Sequence, residues 1–461
     1  MIKRIRSSGF VSTAPVHPGE PDKVRPMSGG PDRDPVIGPP DTPSGGPDKP
    51  RPTTPQHTGL RRIGAALHYR DFRVLWFVAF TSTIGTWMQK VAQNWLVLTI
   101  TGSSSAFFLG LDSFLGELPI LLFTLVGGVI ADRHDRRRLL LMSQYIQMTT
   151  AFTLAALVYF NRIHIWQVLT LSVITGLAQA FGGPAHQSLL PSLVDQDDVP
   201  NAIAFNSIQF NLARVIGPLL AGGALAAFGM AACFGLNGVS FLAVIAAILS
   251  LRIRHAPPAG PSRLREEFHE GLTFVQKRPA FIGLTVLGFA TTFLGNPFLT
   301  FLPLFAQNVF HGDVSLYTKL LACASAGAVT GALFVAWKGR FPHMGRAVLL
   351  IQLAYAGLIL AFALTRMLWL NAIILFFAGM CMVTVASMIS SLVQLNAPNE
   401  MRGRVMSLYM VAFRGGMPLG SLVGGWIASR ASAPAVLMVN GVLMSLVAAW
   451  FLLKSHGVRE L

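Results

Sequence analysis

Charge is what the chain has little of. Asp, Glu, Lys and Arg together make up 12% of its 461 residues, against about 25% in a soluble globular protein. So sparse a polar surface argues against a soluble enzyme, an extended coiled coil or a nucleic-acid-binding domain. Cysteine is scarcer still. Cys233, Cys323 and Cys381 lie far apart in apolar stretches, with no CxxC pair and no His/Cys cluster at ligand spacing. Neither a disulfide framework nor a metal site is indicated. A GxxxxGK[ST] loop is missing too, so a nucleotide is not the expected energy source. No His/Asp/Glu cluster at usable spacing falls inside the apolar stretches, which leaves a membrane-embedded enzyme without catalytic residues, and no cofactor is expected.

What is present is apolar length. Hydrophobic residues reach 52% and the mean hydropathy is +0.55. From residue 72 onward, runs of about 20 apolar residues alternate with short polar breaks, each long enough to cross about 30 Å of hydrocarbon as a helix. Twelve are readable, at 72–98, 106–131, 139–160, 163–183, 202–228, 231–251, 281–305, 314–337, 347–364, 369–393, 405–428 and 433–453. The expected class is therefore an all-α polytopic membrane protein. With the N-terminus in the cytoplasm, 29 of the 36 Lys and Arg fall inside, 3 outside and 4 within runs. That asymmetry places both termini on the cytoplasmic side. It also accounts for the net charge of +16 without a nucleic-acid partner.

Residues 1–60 are a different material. Thirteen of the 28 prolines lie there, within recurring phrases such as GGPDRDP and GGPDKPRP. Such a segment cannot bury enough apolar surface to fold, and a disordered cytoplasmic tail is expected. It is either simply solvated or a tether for a protein or lipid headgroup.

The rest repeats. The fifth run carries Ser207, Arg214, Pro218 and Leu219, and the eleventh carries Ser407, Arg414, Pro418 and Leu419, at a constant offset of 200. Asn237-Gly238-Val239 in the sixth run answers Asn440-Gly441-Val442 in the twelfth. Two pseudo-symmetric six-helix halves are expected, 61–255 and 281–461. A cytoplasmic connection, 256–280, joins them, and its RLREEFHEGLTFVQKR stretch has the spacing of an amphipathic surface helix. Parallel halves rocking about a central site are a transporter architecture.

Between the second and third runs stands GGVIADRHDRRRLL, with six charges in seven residues. This resembles the signature loop of the major facilitator superfamily. The resemblance implies the major facilitator fold and a cytoplasmic latch against the eleventh helix, involving Gly128, Asp132, Arg133, Arg136 and Arg137. Gly127 and Gly128 suit close helix approach. Asp135 departs from the pattern, which has glycine there, and the loop of the second half, WKGRFPHMGR, lacks the acid. Further stretches, among them IGTWMQKVAQNWLVLTITGSS and LPSLVDQDDVPNAIAFNS, resemble the bacterial subfamily that includes the enterobactin exporter. Gly217-Pro218 followed by Gly222-Gly223 resembles the fifth-helix motif of antiporting exporters.

Charges inside hydrocarbon are costly and tend to mark function. Lys90, Asp112, Glu117, Arg214, Lys319 and Arg414 are the candidates. Thr83, Thr86, Lys90, Gln93 and Asn94 form a polar stripe at helical spacing on the first run, which lines a wet cavity or bonds to neighbouring helices. Trp87 and Trp95 suit either cavity walls or an interfacial aromatic belt, and the belt is the expectation for Trp95. Counted up from Asp132 at 1.5 Å per residue, Glu117 lies about 22 Å and Asp112 about 30 Å from the cytoplasmic end. Glu117 is thus the expected buried carboxylate, acting as proton carrier or pairing structurally with a base such as Arg414; Asp112 is the second candidate. Thr86, Lys90, Gln93, Asn94, Arg214 and Arg414 are the expected cavity residues. The two arginines suit an anionic or polyphenolic substrate, or serve gating ion pairs.

The expected function is that of a monomeric, proton-coupled exporter in the bacterial cytoplasmic membrane. It would move a siderophore-like metabolite or drug by alternating access. The alternatives are a proton-coupled uptake symporter and a non-transporting membrane scaffold that docks partners through its tail.

Overall fold

A computed structural model describes residues 64–251, 264–454 and 456–461, with Asp132 and Arg133 described in backbone only. The Pro-rich tail and the first part of the connecting segment lie outside the described residues.

All regular structure among the described residues is helical. An apolar segment in lipid must satisfy its own amides and carbonyls, and a helix does so internally. The first group comprises α1 (Arg70–Thr101), α2 (Ser105–Arg133), α3 (Arg136–Tyr159), α4 (Ile165–Leu189) and α5 (Val199–Ser250). After α6 (Leu264–Gln276) come α7 (Pro279–Gly295), α8 (Val314–Lys338), α9 (Met344–Leu364), α10 (Leu368–Asn396), α11 (Arg402–Ala428) and α12 (Ala433–Lys454). A closing turn, α13, covers His456–Arg459. Eight segments are long and apolar enough to cross a membrane by length and composition, two of them, Arg70–Thr124 and Gln196–Ser250, 55 residues each. The third and eleventh expected runs form helices α3 and α11 but fall outside those eight segments.

Local sequence explains where helices stop and start. The 52-residue α5 breaks at Gly229, whose φ of 77° and ψ of −179° only glycine adopts without strain. The break falls between the expected fifth and sixth runs. Asp135 caps α3, its carboxylate accepting from the Arg137 amide at 2.9 Å, and Asp313 caps α8 by accepting from the Leu316 amide at 3.1 Å. Each cap satisfies an otherwise orphaned helix donor. Asp135, the departure from the superfamily pattern, thus has a local use. Helix α6 lies against α11, where the Arg404 guanidinium pairs with Glu270.

Within the first group α1 packs on α5, α2 on α4, and α3 on both α4 and α5. Within the second, α8 packs on α10, α9 on α12 and α7 on α11. Between the groups the main contacts are α2 on α11 and α5 on α8. The buried apolar side chains divide unevenly. Near the α1–α2 turn one cluster runs across both groups, taking in Val97, Leu109, Phe234, Phe301, Tyr317 and Phe362. At the other end, where the basic loops lie, there are two separate clusters. Phe72, Leu140, Leu189 and Ile248 belong to the first group alone; Phe281, Met344, Ile389 and Tyr409 belong to the second. Among the described residues the two groups share a buried apolar core at one end and have separate ones at the basic end.

Gly110 marks the tight end. A methyl there would run into the Ser421 carbonyl, with the Gly425 Cα at 3.1 Å, so α2 and α11 meet backbone to backbone. Gly127 likewise sits against the Ala180 carbonyl of α4. Gly128 does not act as expected: nothing lies within 4 Å of a methyl built on it, because the next position on the helix points away from α4. Gly110→Leu is expected to lower stability by about 1–3 kcal/mol through overpacking, seen as a drop in the melting temperature of detergent-purified protein. Gly128→Ala meets no neighbour and is expected to raise stability by up to about 1 kcal/mol through helix propensity.

Candidate functional site

Helix α1 supplies one wall of the gap between the groups. Lys90 is half exposed, and its ammonium lies 3.7 Å from the Glu117 carboxylate on α2. The same ammonium is 5.8 Å from the centre of the Trp87 ring. From α5 the Arg214 guanidinium comes to 5.7 Å of that ring. An indole with two cations is a cation–π arrangement, each contact contributing about 0.5–2 kcal/mol. Gly217 permits it, since a methyl there would lie 2.5 Å from the Trp87 Cβ. Phe210 meets the indole edge at 6.1 Å, and Thr86 is exposed one turn from Lys90.

Asp112 is the buried carboxylate, with 6% of its surface exposed. It accepts hydrogen bonds from Gln93 Nε2 at 2.9 and 3.1 Å and from the Ser172 hydroxyl at 2.5 Å. No described base lies within ion-pair distance of it. This corrects the expectation that Glu117 is the more buried acid: the Glu117 side chain is 34% exposed. Five residues turn a helix by about 140°. Asp112 therefore faces α1 and α4, while Glu117 faces Lys90 and the gap. The depth count placed both residues along the axis but not around it. Glu117 also pairs with Lys90 rather than with Arg414, which is exposed and pairs with no described carboxylate.

The polar stripe of α1 divides. Thr86 and Lys90 face the gap; Gln93 and Asn94 bond to neighbouring helices. Asn94 Nδ2 donates to the Tyr317 hydroxyl of α8 at 3.1 Å, and Trp95 stacks on the Tyr317 ring at 6.2 Å. Trp95 is thus part of the joint between the groups instead of an interfacial belt. Ser172 and Tyr317 escaped sequence reasoning. Ser172 is a neutral polar residue in an apolar run and Tyr317 stands beside Thr318 and Lys319 at the start of one, and neither forms a pattern that points to its partner.

At the basic end, the arginines of the signature loop reach helix ends within their own group. Arg136 donates to the Ser188 carbonyl at 3.1 Å and Arg137 to the Leu249 carbonyl at 2.6 Å. These are last-turn carbonyls of α4 and α5, unpaired in the helix and electronegative. The expected latch of Arg136 and Arg137 against α11 is not what these contacts form. Asp132 and Arg133 lie outside the described side chains. Nearby, the Tyr69 hydroxyl donates to Asp195 at 3.0 Å and Asp198 at 2.8 Å, and burial together with these acceptors holds its phenol proton above the ordinary range.

The antiporter-like motif is partly packing. Gly222 meets Thr318 of α8, whereas Gly223 faces open space; Pro218 is buried. The repeat reappears in contacts. Asn237 donates to Gln89 of α1 at 2.7 Å, and Asn440 donates to the Leu294 carbonyl of α7 at 3.0 Å.

Two helix groups, joined at one end and lined with intramembrane charge, are matched by similarity to known proteins. Residues 64–459 fit the family described as transmembrane secretion effector. The chain belongs to this family, within the major facilitator superfamily. It is 29% identical to the multidrug efflux pump Tap of Mycolicibacterium fortuitum, over 80% of this chain and 92% of that one. It is 25% identical to the enterobactin exporter EntS of Shigella boydii, over 82% and 91%. Its fold matches the inward-facing, unoccupied structure of a bacterial homologue of the human lysosomal transporter Spinster, with a TM-score of 0.67, 16% identity, and coverage of 87% and 98%. The superfamily is one of multi-pass membrane transporters for small molecules, not of enzymes.

The two acids of this family member should behave differently. Ser172→Ala takes a donor from a buried carboxylate and is expected to cost about 1–3 kcal/mol. Lys90→Gln breaks a half-exposed pair and is expected to cost less than about 1 kcal/mol. Thermal unfolding of the two variants should rank them in that order.

Proposed function

We propose that the protein is a proton-coupled exporter of anionic small molecules with aromatic character, such as siderophores. It crosses the bacterial cytoplasmic membrane twelve times, with both termini inside. The two arms of α5 count as separate crossings, and α3 and α11 complete the set. Residues 61–255 and 281–461 act as two halves that rock about the gap, with 1–60 as a cytoplasmic tail and 256–280 as the connection. The working unit is a monomer.

The observation that carries this reading is Trp87 flanked by Lys90 and Arg214 on the wall of the gap. An aromatic anion finds there a ring to stack on and cations to neutralise it. The Lys90–Glu117 pair is exposed enough that its net worth is about 1 kcal/mol or less, so an incoming anion can replace Glu117 as the partner of Lys90. Arg414, exposed and without a described acid, offers a further charge from the second half. Asp112, buried and held only by neutral donors, is the residue we assign to proton uptake. Asp132 and Arg133 remain candidates for the gate between halves.

Export is supported by the efflux pump and siderophore exporter among the relatives. The 29% identity with Tap favours a second reading, in which the same wall takes amphipathic drugs. The test compares small molecules in medium and cell extracts, by mass spectrometry, between wild type and a deletion strain under iron limitation. An anionic aromatic compound should build up inside the deletion strain and disappear from its medium. Complementation with Lys90→Gln/Arg214→Gln should lower its export at least about tenfold, the effect of roughly 1.4 kcal/mol, and Asp112→Asn should abolish it. A compound left in the medium only when the gene is missing would show uptake instead.

A further inference from the structure

Away from the gap, at the basic end of the second group, a shallow, largely open depression of about 620 Å³ lies between the start of α7, the end of α12 and the closing turn α13. Lys277, Arg278 and Lys454 line it, with one carboxylate, Glu460, and the Trp450 indole. The lining carries three positive charges against one negative. The first turn of α7 adds the positive end of a 17-residue helix, which favours an anion.

The depression is built rather than incidental. Val458 of the closing turn is fully buried, and Gly283 of α7 and Gly345 of α9 admit it. A methyl on Gly283 would lie 2.5 Å from the Val458 side chain, and one on Gly345 would strike its carbonyl. Arg278 is held by stacking at 4.1 Å on the Phe274 ring. The tail of the chain is thus fixed as one wall, and a cation is preset on the opposite one.

Below the cations the surface turns apolar. Leu446, Trp450 and Leu453 follow one another at helical spacing down one face of α12, and are 60%, 55% and 75% exposed. Cations above an exposed apolar stripe, at the level where membrane helices end, match a phosphate headgroup above its acyl chains. A soluble phosphate would use the cations but not the stripe. We infer that this depression binds an anionic phospholipid. The headgroup phosphate sits among Lys277, Arg278 and Lys454, and the acyl chains run along Leu446, Trp450 and Leu453. The lipid braces the closing turn against α7.

Delipidated full-length protein in detergent is titrated separately with phosphatidylglycerol, phosphatidylcholine and inorganic phosphate, reading adducts by native mass spectrometry and melting temperature. Phosphatidylglycerol should be retained and raise the melting temperature; the other two should do neither. Lys277→Gln, Arg278→Gln and Lys454→Gln should each weaken retention about fivefold. Glu460→Gln, which leaves the cations in place, should strengthen it. Equal retention of phosphatidylcholine would overturn the proposal. So would displacement of phosphatidylglycerol by inorganic phosphate, which marks a soluble-anion site, or unchanged retention in the three cation variants when their unliganded melting temperatures match wild type.

Discussion

The two helix groups share an apolar core at one end only, and the rest of the arrangement follows from that. Where Val97, Leu109, Phe301 and Tyr317 lie in one cluster, the groups are held by close side-chain and backbone packing, which is what joins helices already surrounded by lipid. Where the clusters of Phe72 and of Phe281 stay separate, no shared apolar cluster joins the groups among the described residues. Polar side chains on the facing helices can then meet solvent or solute instead of lipid. A charge such as Lys90 is tolerable inside a membrane protein only in such a place. The joint itself is made of small residues and of one aromatic seam. Gly110 brings α2 against α11, Gly222 brings α5 against α8, and Trp95 stacks on Tyr317.

Two carboxylates five residues apart on α2 have been given opposite surroundings. Glu117 sits beside a cation at the edge of the gap; Asp112 is enclosed with neutral donors from α1 and α4. The first can change partner at little cost. The second ties three helices together through Gln93 of α1 and Ser172 of α4.

Much of the helical layout was legible in the sequence, because hydrocarbon demands about 20 apolar residues for each crossing and leaves little room for other patterns. The repeat was legible too: Asn237 and Asn440, found by their shared Asn-Gly-Val triplet, both tie the last helix of their group to its first. Gly229 marks the sixth run's beginning through a backbone angle that glycine alone accepts. The site was legible by residue type and not by direction. Lys90, Asp112, Glu117 and Arg214 stand out as charges in apolar runs, yet which acid is enclosed depends on helix rotation, and a count along the axis carries no information about it. The targets of Arg136 and Arg137 are carbonyls far away in sequence, which no motif specifies. Ser172 and Tyr317 carry no signal at all until their neighbours are known.

The central claim is that the groups pivot, opening one end as the other closes. Spin labels at Gln187 and Gln394 near the basic end, and at Ser103 and Arg430 near the other, would report both openings in lipid nanodiscs by pulsed electron paramagnetic resonance. Asp112→Asn, which fixes that position in a neutral form, should shift both distance distributions in opposite senses, one pair approaching as the other separates. Distances that stay fixed, or that lengthen together, would contradict the account.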